Sequence, residues 1–344
     1  MRIPGLDVLR GIAILLVLCR HGSLPDPLSH FGWLGVDLFF VISGFLVSGL
    51  LFKEYLHAGK INAKRFLIRR GFKIYPAFYF FMIFSICLRY FQTGNLYPVN
   101  NIAAEFFFVQ NYFAGIWTHS WSLAVEEHFY FALALFALVA AGTNLLSNKK
   151  TVIAILLSML LISFLLRLYV SWPHRNDATF TFTQTHLRAD GLIIGVLVSY
   201  LFHFTGFFSA LSDHRKIIFL IAAACLLPGF FYDGGGMMMN TAGLTLVNAG
   251  FGLFTWLSVH RQHPVENGFL KAPDKLIRFI GRNSYSIYLW HLVAMEAADF
   301  IFTPGSNFHF IMFFILSVTL GIFMTYLIEK PFLRWRDRHI MHDI

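Results

Sequence analysis

From Pro4 onward the chain sets long apolar runs between short polar gaps, and within each run the hydrophobic positions follow one another without alternation. Read between the polar punctuation, these runs predict helices at 4–21, 33–56, 71–91, 119–141, 151–170, 186–205, 216–232, 240–259, 279–302 and 308–329. A hydrocarbon layer about 30 Å thick is crossed by about 20 residues of helix, so each run can make one crossing. A membrane β-barrel needs short segments of alternating polarity, and these continuous runs exclude it. The predicted fold class is therefore all-α: a polytopic integral membrane bundle of about ten transmembrane helices.

Composition agrees, because 57% hydrophobic residues, 13% charged residues and a mean hydropathy of +0.63 do not describe a surface facing water. A net charge of +9 would suggest nucleic acid if the cations formed one patch. They fall in alternate gaps instead. With Arg2 inside, the Lys53–Lys73 stretch, Lys149, Lys150, Arg215, Lys216, the cations from Arg261 to Arg282 and those from Lys330 to Arg338 share its side, 21 of the 27 Lys and Arg. The gaps 92–118 and 233–239, on the other side, hold none. The positive-inside rule then puts both termini in the cytosol and removes nucleic acid as a partner. Cys19, Cys87 and Cys225 lie singly in apolar runs and make neither a disulfide framework nor a metal knuckle. Arg10 interrupts the first run and Arg20 and His21 follow it, where a signal peptide would carry small residues, so that helix is expected to be retained. No internal repeat divides the chain, which reads as one membrane domain over 1–344 with no additional soluble domain.

Charged side chains near the middle of a bilayer cost at least about 2.5–3.5 kcal/mol each on insertion scales, so those inside the runs are candidates for function. On the first helix Asp7, Arg10 and His21 share a face, and Arg10 and His21 stand about 16 Å apart along the axis, Arg10 toward the cytosol. Asp37, early in the second helix, is expected near the depth of His21, where it could orient the imidazole; the alternative for His21 is a solvated interfacial histidine. Arg69 and Lys73 lie four residues apart beside Arg70 at the inner surface, a pattern that suits phosphates or anionic lipid. Glu126 and Glu127 are adjacent carboxylates about two turns into the fourth helix. Arg188, which enters with Asp190 on the sixth, could pair with them structurally. His291 falls in the upper half of the ninth helix. His21, Glu126, Glu127 and His291 have no short metal-ligand spacing, so no metal is expected.

Several stretches together resemble the bacterial acyltransferase family 3 membrane proteins. They are Leu6-Asp7-Val8-Leu9-Arg10-Gly11 with His21 eleven residues after the arginine, Gly35 through Phe45, Arg69-Arg70 through Pro76, Trp121-Ser122-Leu123 through Tyr130, Ser284-Tyr285 through His291, and Glu329-Lys330-Pro331-Phe332. The resemblance covers nearly the whole chain. It implies a cytosolic acyl-CoA donor, most commonly acetyl-CoA, contacted by Arg10 and the Arg69/Arg70 cluster, with His21 required for transfer to a hydroxyl of a surface glycan, a lipid-linked oligosaccharide or another exported acceptor. Lys73 stands where such proteins often carry a third arginine, so a contact there would lack the bidentate fork. Under this reading His21 is the general base, Asp37, Glu126 or Glu127 orients it, and Arg188 or a hydroxyl such as Ser286 stabilises the oxyanion, with His291 nearby. A covalent acyl-enzyme stays open. The expected location is the inner (plasma) membrane, and the outer gaps 92–118 and 171–185 are expected to help choose the acceptor. The competing class is a proton-coupled secondary transporter, since buried carboxylates, histidines and arginines also describe that; the lack of an inverted repeat counts against it.

Overall fold

The computed structural model describes residues 3–22, 28–177, 182–232, 235–260, 265, 268–303 and 306–340, and among them every regular element is helical. Arg2 and Arg261, used above for topology, lie outside the described residues, as do 178–181 of the outer gap 171–185 and 233–234 of the gap 233–239. In chain order the principal helices are α1 Pro4–His21, α2 Leu34–Ala58, α3 Ala63–Thr93, α4 Val99–Phe106, α5 Trp121–Gly142, α6 Lys149–Ser171, α7 Thr185–Arg188, α8 Asp190–Phe204, α9 Arg215–Cys225, α10 Leu244–Val259, α11 Lys271–Arg282, α12 Ser284–Ile301, α13 Asn307–Met324 and α14 Lys330–His339.

Seven helical stretches among the described residues are long and apolar enough to cross a bilayer: Ser29–Ala58, Ala63–Thr93, Thr118–Gly142, Lys149–His174, Ser212–Phe231, Met239–Val259 and Phe308–His339. This is a multi-pass membrane protein. The other three predicted crossings fold as α1, α8 and α12. Each falls short of that measure for its own reason. α1 carries Asp7, Arg10 and Arg20, α8 is 15 residues long, and α12 holds Ser284, Ser286, His291, Glu296 and Asp299 among its apolar positions. Some boundaries also differ from expectation; the predicted 186–205 helix, for one, breaks at Ala189 into α7 and α8. α3 begins at Ala63, eight residues before the predicted 71, because the Asn62 side chain accepts from the Arg65 amide and caps a helix that then absorbs Pro76. The predicted 279–302 helix breaks at Asn283 into α11 and α12.

The chain forms two compact units. The first comprises 1–61, 135–182 and 186–282, and the second 62–134, 183–185 and 283–344. The core of the first unit includes Leu6, Leu9 and Ala13 of α1, Leu38, Val41 and Phe45 of α2, Ile194 and Val198 of α8, and Val247, Phe251 and Trp256 of α10. α2 and α8 meet backbone to backbone. A Cβ on Gly44 would sit 2.1 Å from the Leu192 carbonyl oxygen, and one on Gly195 would sit 2.2 Å from that of Val41. Only glycine allows this approach, the usual device where helices must pack without a hydrophobic drive in lipid.

In the second unit, the chain from Trp117 into α5 runs antiparallel to α3. Trp117 Nε1 donates to Ser85 Oγ at 2.8 Å, and Tyr75 donates to Glu127 at 2.8 Å, so residues 75–85 of α3 lie alongside residues 117–127. Thr93, the C-terminal end of α3, is a further eight residues on, about 12 Å at 1.5 Å per residue. The connection 94–120 therefore folds down along the unit, and Ala104, Glu105, Phe108, Gln110, Asn111, His119 and Ser120 within it are buried. Its organiser is Glu105, whose Oε1 accepts from Ser120 Oγ at 2.6 Å, the Ile116 amide at 3.1 Å and the Trp117 amide at 3.3 Å. Burial raises this carboxyl's pKa above the ordinary glutamate range, opposed by those three donors.

Candidate functional site

Four of the predicted site residues belong to the first unit. Arg10 lies in the second turn of α1 and His21 is its last residue, and Ile14, Val17 and Leu18 between them are buried. Both polar residues are partly buried. Asp37, on the first turn of α2, is 1% exposed, and its Oδ1 accepts from Arg188 Nη2 at 2.8 Å. Arg188 closes the one-turn helix α7 at the corner into α8, and Asp190 opens α8 two residues later.

Around that corner lies a second buried pair. Arg167 of α6, 0% exposed, contacts Asp190 Oδ2 at 2.7 Å, and Asn248 Nδ2 of α10 donates to the same oxygen at 3.1 Å. Two arginines and two aspartates thus balance one another in a dry part of the unit, where an unpaired charge would be expensive. Arg167 and Asn248 are functional candidates the sequence reading missed. Arg167 had a usable signal, a lone arginine in the apolar run 151–170; Asn248 had none.

The second unit holds the remaining seven. Arg70 of α3 sits over the Tyr130 ring, 5.4 Å from guanidinium carbon to centroid. Tyr130 in turn donates to Glu126 Oε2 at 2.8 Å, one helical turn back on α5. Glu127, 4% exposed, takes its hydrogen bond from Tyr75. These groups border a cleft of about 410 Å³, walled by Leu67, Ile68, Phe72, Pro76 and Phe131 and carrying Arg70, Glu127 and the two tyrosines as its polar lining. A predominantly apolar concavity with a few convergent polar groups is the usual character of a small-molecule site.

Lys73 points elsewhere. Its ammonium is paired with Glu329 and lies 5.6 Å from the Tyr285 ring centroid. Ser286 donates its hydroxyl hydrogen to the other oxygen of Glu329 at 3.1 Å. Glu329 ends a π-helical turn, Thr325–Glu329, joining α13 to α14. Such turns shift side chains off the regular helical register and recur at functional sites. Glu329 was visible beforehand only as part of the Glu329-Lys330-Pro331-Phe332 stretch. Arg69 is exposed, and its carbonyl accepts from Arg336 Nη1 at 3.2 Å. One turn apart on α3, Lys73 thus meets the Glu329 carboxylate and the Arg69 backbone meets α14.

His291 is 0% exposed and its Nδ1 lies 2.6 Å from the Tyr288 carbonyl oxygen. A carbonyl only accepts, so Nδ1 carries a proton and donates it there. A second buried histidine that the sequence reading missed, His119, has its ring centroid 4.9 Å away; its Nε2 donates to the Leu289 carbonyl, and its own carbonyl accepts from Tyr288 at 2.8 Å. Among the described residues no three His, Cys, Asp or Glu side chains gather as a metal ion would require.

Comparison with known proteins adds the following. The family described as "Acyltransferase domain" matches residues 3–330. A Staphylococcus aureus protein named "Putative O-acetyltransferase SACOL0978" is 30% identical over 381 residues, covering 98% of this chain and 59% of its own length. "Putative peptidoglycan O-acetyltransferase YrhL" of Bacillus subtilis is 26% identical, covering 96% of this chain and 54% of its own. "Peptidoglycan O-acetyltransferase OatA" of Listeria monocytogenes is 27% identical, covering 84% and 49%. The chain thus spans about half to three-fifths of the length of these relatives. No solved structure matches it.

Proposed function

From the premise that the chain belongs to the acyltransferase family whose domain matches residues 3–330, we propose that it is a membrane O-acyltransferase moving an acetyl group from cytosolic acetyl-CoA to a glycan hydroxyl beyond the inner (plasma) membrane. The names of the relatives support a glycan acceptor of the peptidoglycan class. We read the whole of 1–344 as one such functional domain.

The observation that carries the reading is the cleft in the second unit. A pantetheine arm is a slender chain of methylenes and two amides, ending in a thioester and beginning at phosphates. A concavity of about 410 Å³ suits such a ligand in size, with apolar walls for its methylenes and one guanidinium and a carboxylate–tyrosine pair for its polar groups. Arg10, Arg69 and Arg70 are assigned to the donor's phosphates, where a guanidinium offers paired donors. Lys73 contributes positive potential tempered by Glu329.

In the transfer itself the acceptor oxygen bonds to the acyl carbon as the C–S bond breaks. His21 takes the hydroxyl proton and passes it to the departing CoA sulfur, which leaves as the thiol. Asp37 and Arg188 form the charged partner group of the same unit as His21, and Arg188 is assigned to the developing oxyanion. Glu126 and Glu127, each held by a tyrosine hydroxyl, are assigned to orienting the reacting groups, with Ser286 fixing Glu329 and His291 as a second buried imidazole.

The test is purified protein in nanodiscs with radiolabelled acetyl-CoA and an N-acetylglucosamine oligomer. CoA release coupled to labelled oligomer supports transfer. Solute accumulation in vesicles without consumption of acetyl-CoA would replace this reading with a proton-coupled transporter.

A further inference from the structure

Arg167 has no role in the reading above, yet it is the most completely enclosed cation described, at 0% exposure. Its guanidinium fork holds three pieces of chain at once. Nη1 contacts Asp190 Oδ2 at 2.7 Å and donates to the Leu187 carbonyl at 3.2 Å, while Nη2 donates to Thr245 Oγ1 at 2.6 Å. The Leu187 carbonyl belongs to the peptide plane whose nitrogen is that of Arg188, and Asp190 follows Arg188 by two residues. Arg167 therefore grips the chain on both sides of Arg188, and through Thr245 it ties that corner to the start of α10.

We propose that Arg167 is a positioning residue for transfer: it sets the backbone of the α7–α8 corner so that Arg188 is aimed, together with Asp37, at the reacting group. This rests on the assignment of Arg188 to the oxyanion. A hydrophobic side chain would fill the same volume without the desolvation cost of a buried cation, so packing alone gives no reason for an arginine here. The flat fork matters as much as the charge, because a lysine ammonium can keep Asp190 but cannot also span Leu187 and Thr245 in fixed directions.

The experiment measures acetyl-CoA-dependent thiol release in nanodiscs, with an N-acetylglucosamine tetramer as the probe acceptor, for Arg167→Lys, Arg188→Lys and the double variant. Thermal midpoints are recorded alongside. Arg167→Lys is expected to lower kcat by about tenfold or more while the KM for acetyl-CoA stays within about twofold, the split that separates transition-state alignment from donor binding. Because it acts through Arg188, the double variant should fall no more than about twofold below Arg188→Lys alone. An undiminished kcat in Arg167→Lys, or a loss that multiplies in full with that of Arg188→Lys, overturns the proposal and leaves Arg167 a structural ion pair. If Arg167→Lys does not fold, Thr245→Val removes one arm of the fork without touching charge, and the same non-multiplying loss with Arg188→Lys is required of it. Full turnover by Arg188→Lys, or none by the unsubstituted protein, fails the transfer assignment itself, a different result from failure of the Arg167 coupling, and it removes this proposal as well.

Discussion

The Asp37–Arg188 pair lends itself to a stability measurement that is independent of any assay for activity. The carboxylate is 1% and the guanidinium 7% exposed, and they meet at 2.8 Å. Asp37→Leu leaves the arginine buried opposite an apolar side chain, and breaking a buried pair from one side costs about 3–5 kcal/mol. The real figure should sit at the lower end, about 3 kcal/mol, because Asp190 lies two residues from Arg188 and supplies a second negative charge in the same cluster. The double variant Asp37→Leu/Arg188→Met removes both charges together with their desolvation cost. It should recover most of the loss, ending within about 1 kcal/mol of the original, so the coupling energy of the cycle should be at least about 2 kcal/mol. Reversible unfolding in mixed detergent–SDS micelles, followed by tryptophan fluorescence, gives the four free energies. If Asp37→Leu costs under about 1 kcal/mol, or if the double variant is as unstable as the sum of the singles, the charges are solvated and the dry network described here is wrong.

His21→Ala should abolish acetyl transfer while leaving the thermal midpoint unchanged, and normal acceptor labelling by that folded variant would remove the proposed base; Arg10→Ala should instead raise the KM for acetyl-CoA. Tyr130→Phe keeps the ring under Arg70 and loses only the hydroxyl on Glu126, so donor KM should change little, whereas Tyr130→Leu loses the cation–π contact as well and should raise it several-fold; equal effects of the two would disconnect Arg70 from the donor. Glu105 provides a pH signature. Its folded-state pKa is raised, so the fold holds its proton more tightly than the unfolded chain does, and this group's contribution to stability is greatest below its unfolded value near 4.5 and declines as pH rises through the folded value. The difference in thermal midpoint between Glu105→Gln and the unsubstituted protein should therefore widen in favour of the variant over that window, and a pH-independent difference would contradict the assignment.

What was legible in the one-dimensional pattern was whatever lipid imposes locally. A backbone with no water to bond must close its own hydrogen bonds, so long apolar runs announce helices, and charges within those runs stand out because each is costly there. That is why Asp37, Glu126, Glu127, Arg188 and His291 could be singled out, and why the motif stretches pointed to the acyltransferase family.

Partnership was another matter. Which carboxylate meets which cation depends on where separate helices cross. That Arg188 meets Asp37, from 151 residues earlier in the chain, follows from the Gly44 and Gly195 approach that brings α2 against α8. Lys73 meets Glu329 because a π turn presents the acid 256 residues away. Likewise, the burial of 104–120 around Glu105 is decided by the fold, in a connection whose composition reads as an ordinary outer loop. Periodicity specifies a residue's face on its own helix. Only packing decides what that face meets, and in a bilayer, where apolar faces gain little by choosing one another, glycine contacts and buried polar pairs make that decision.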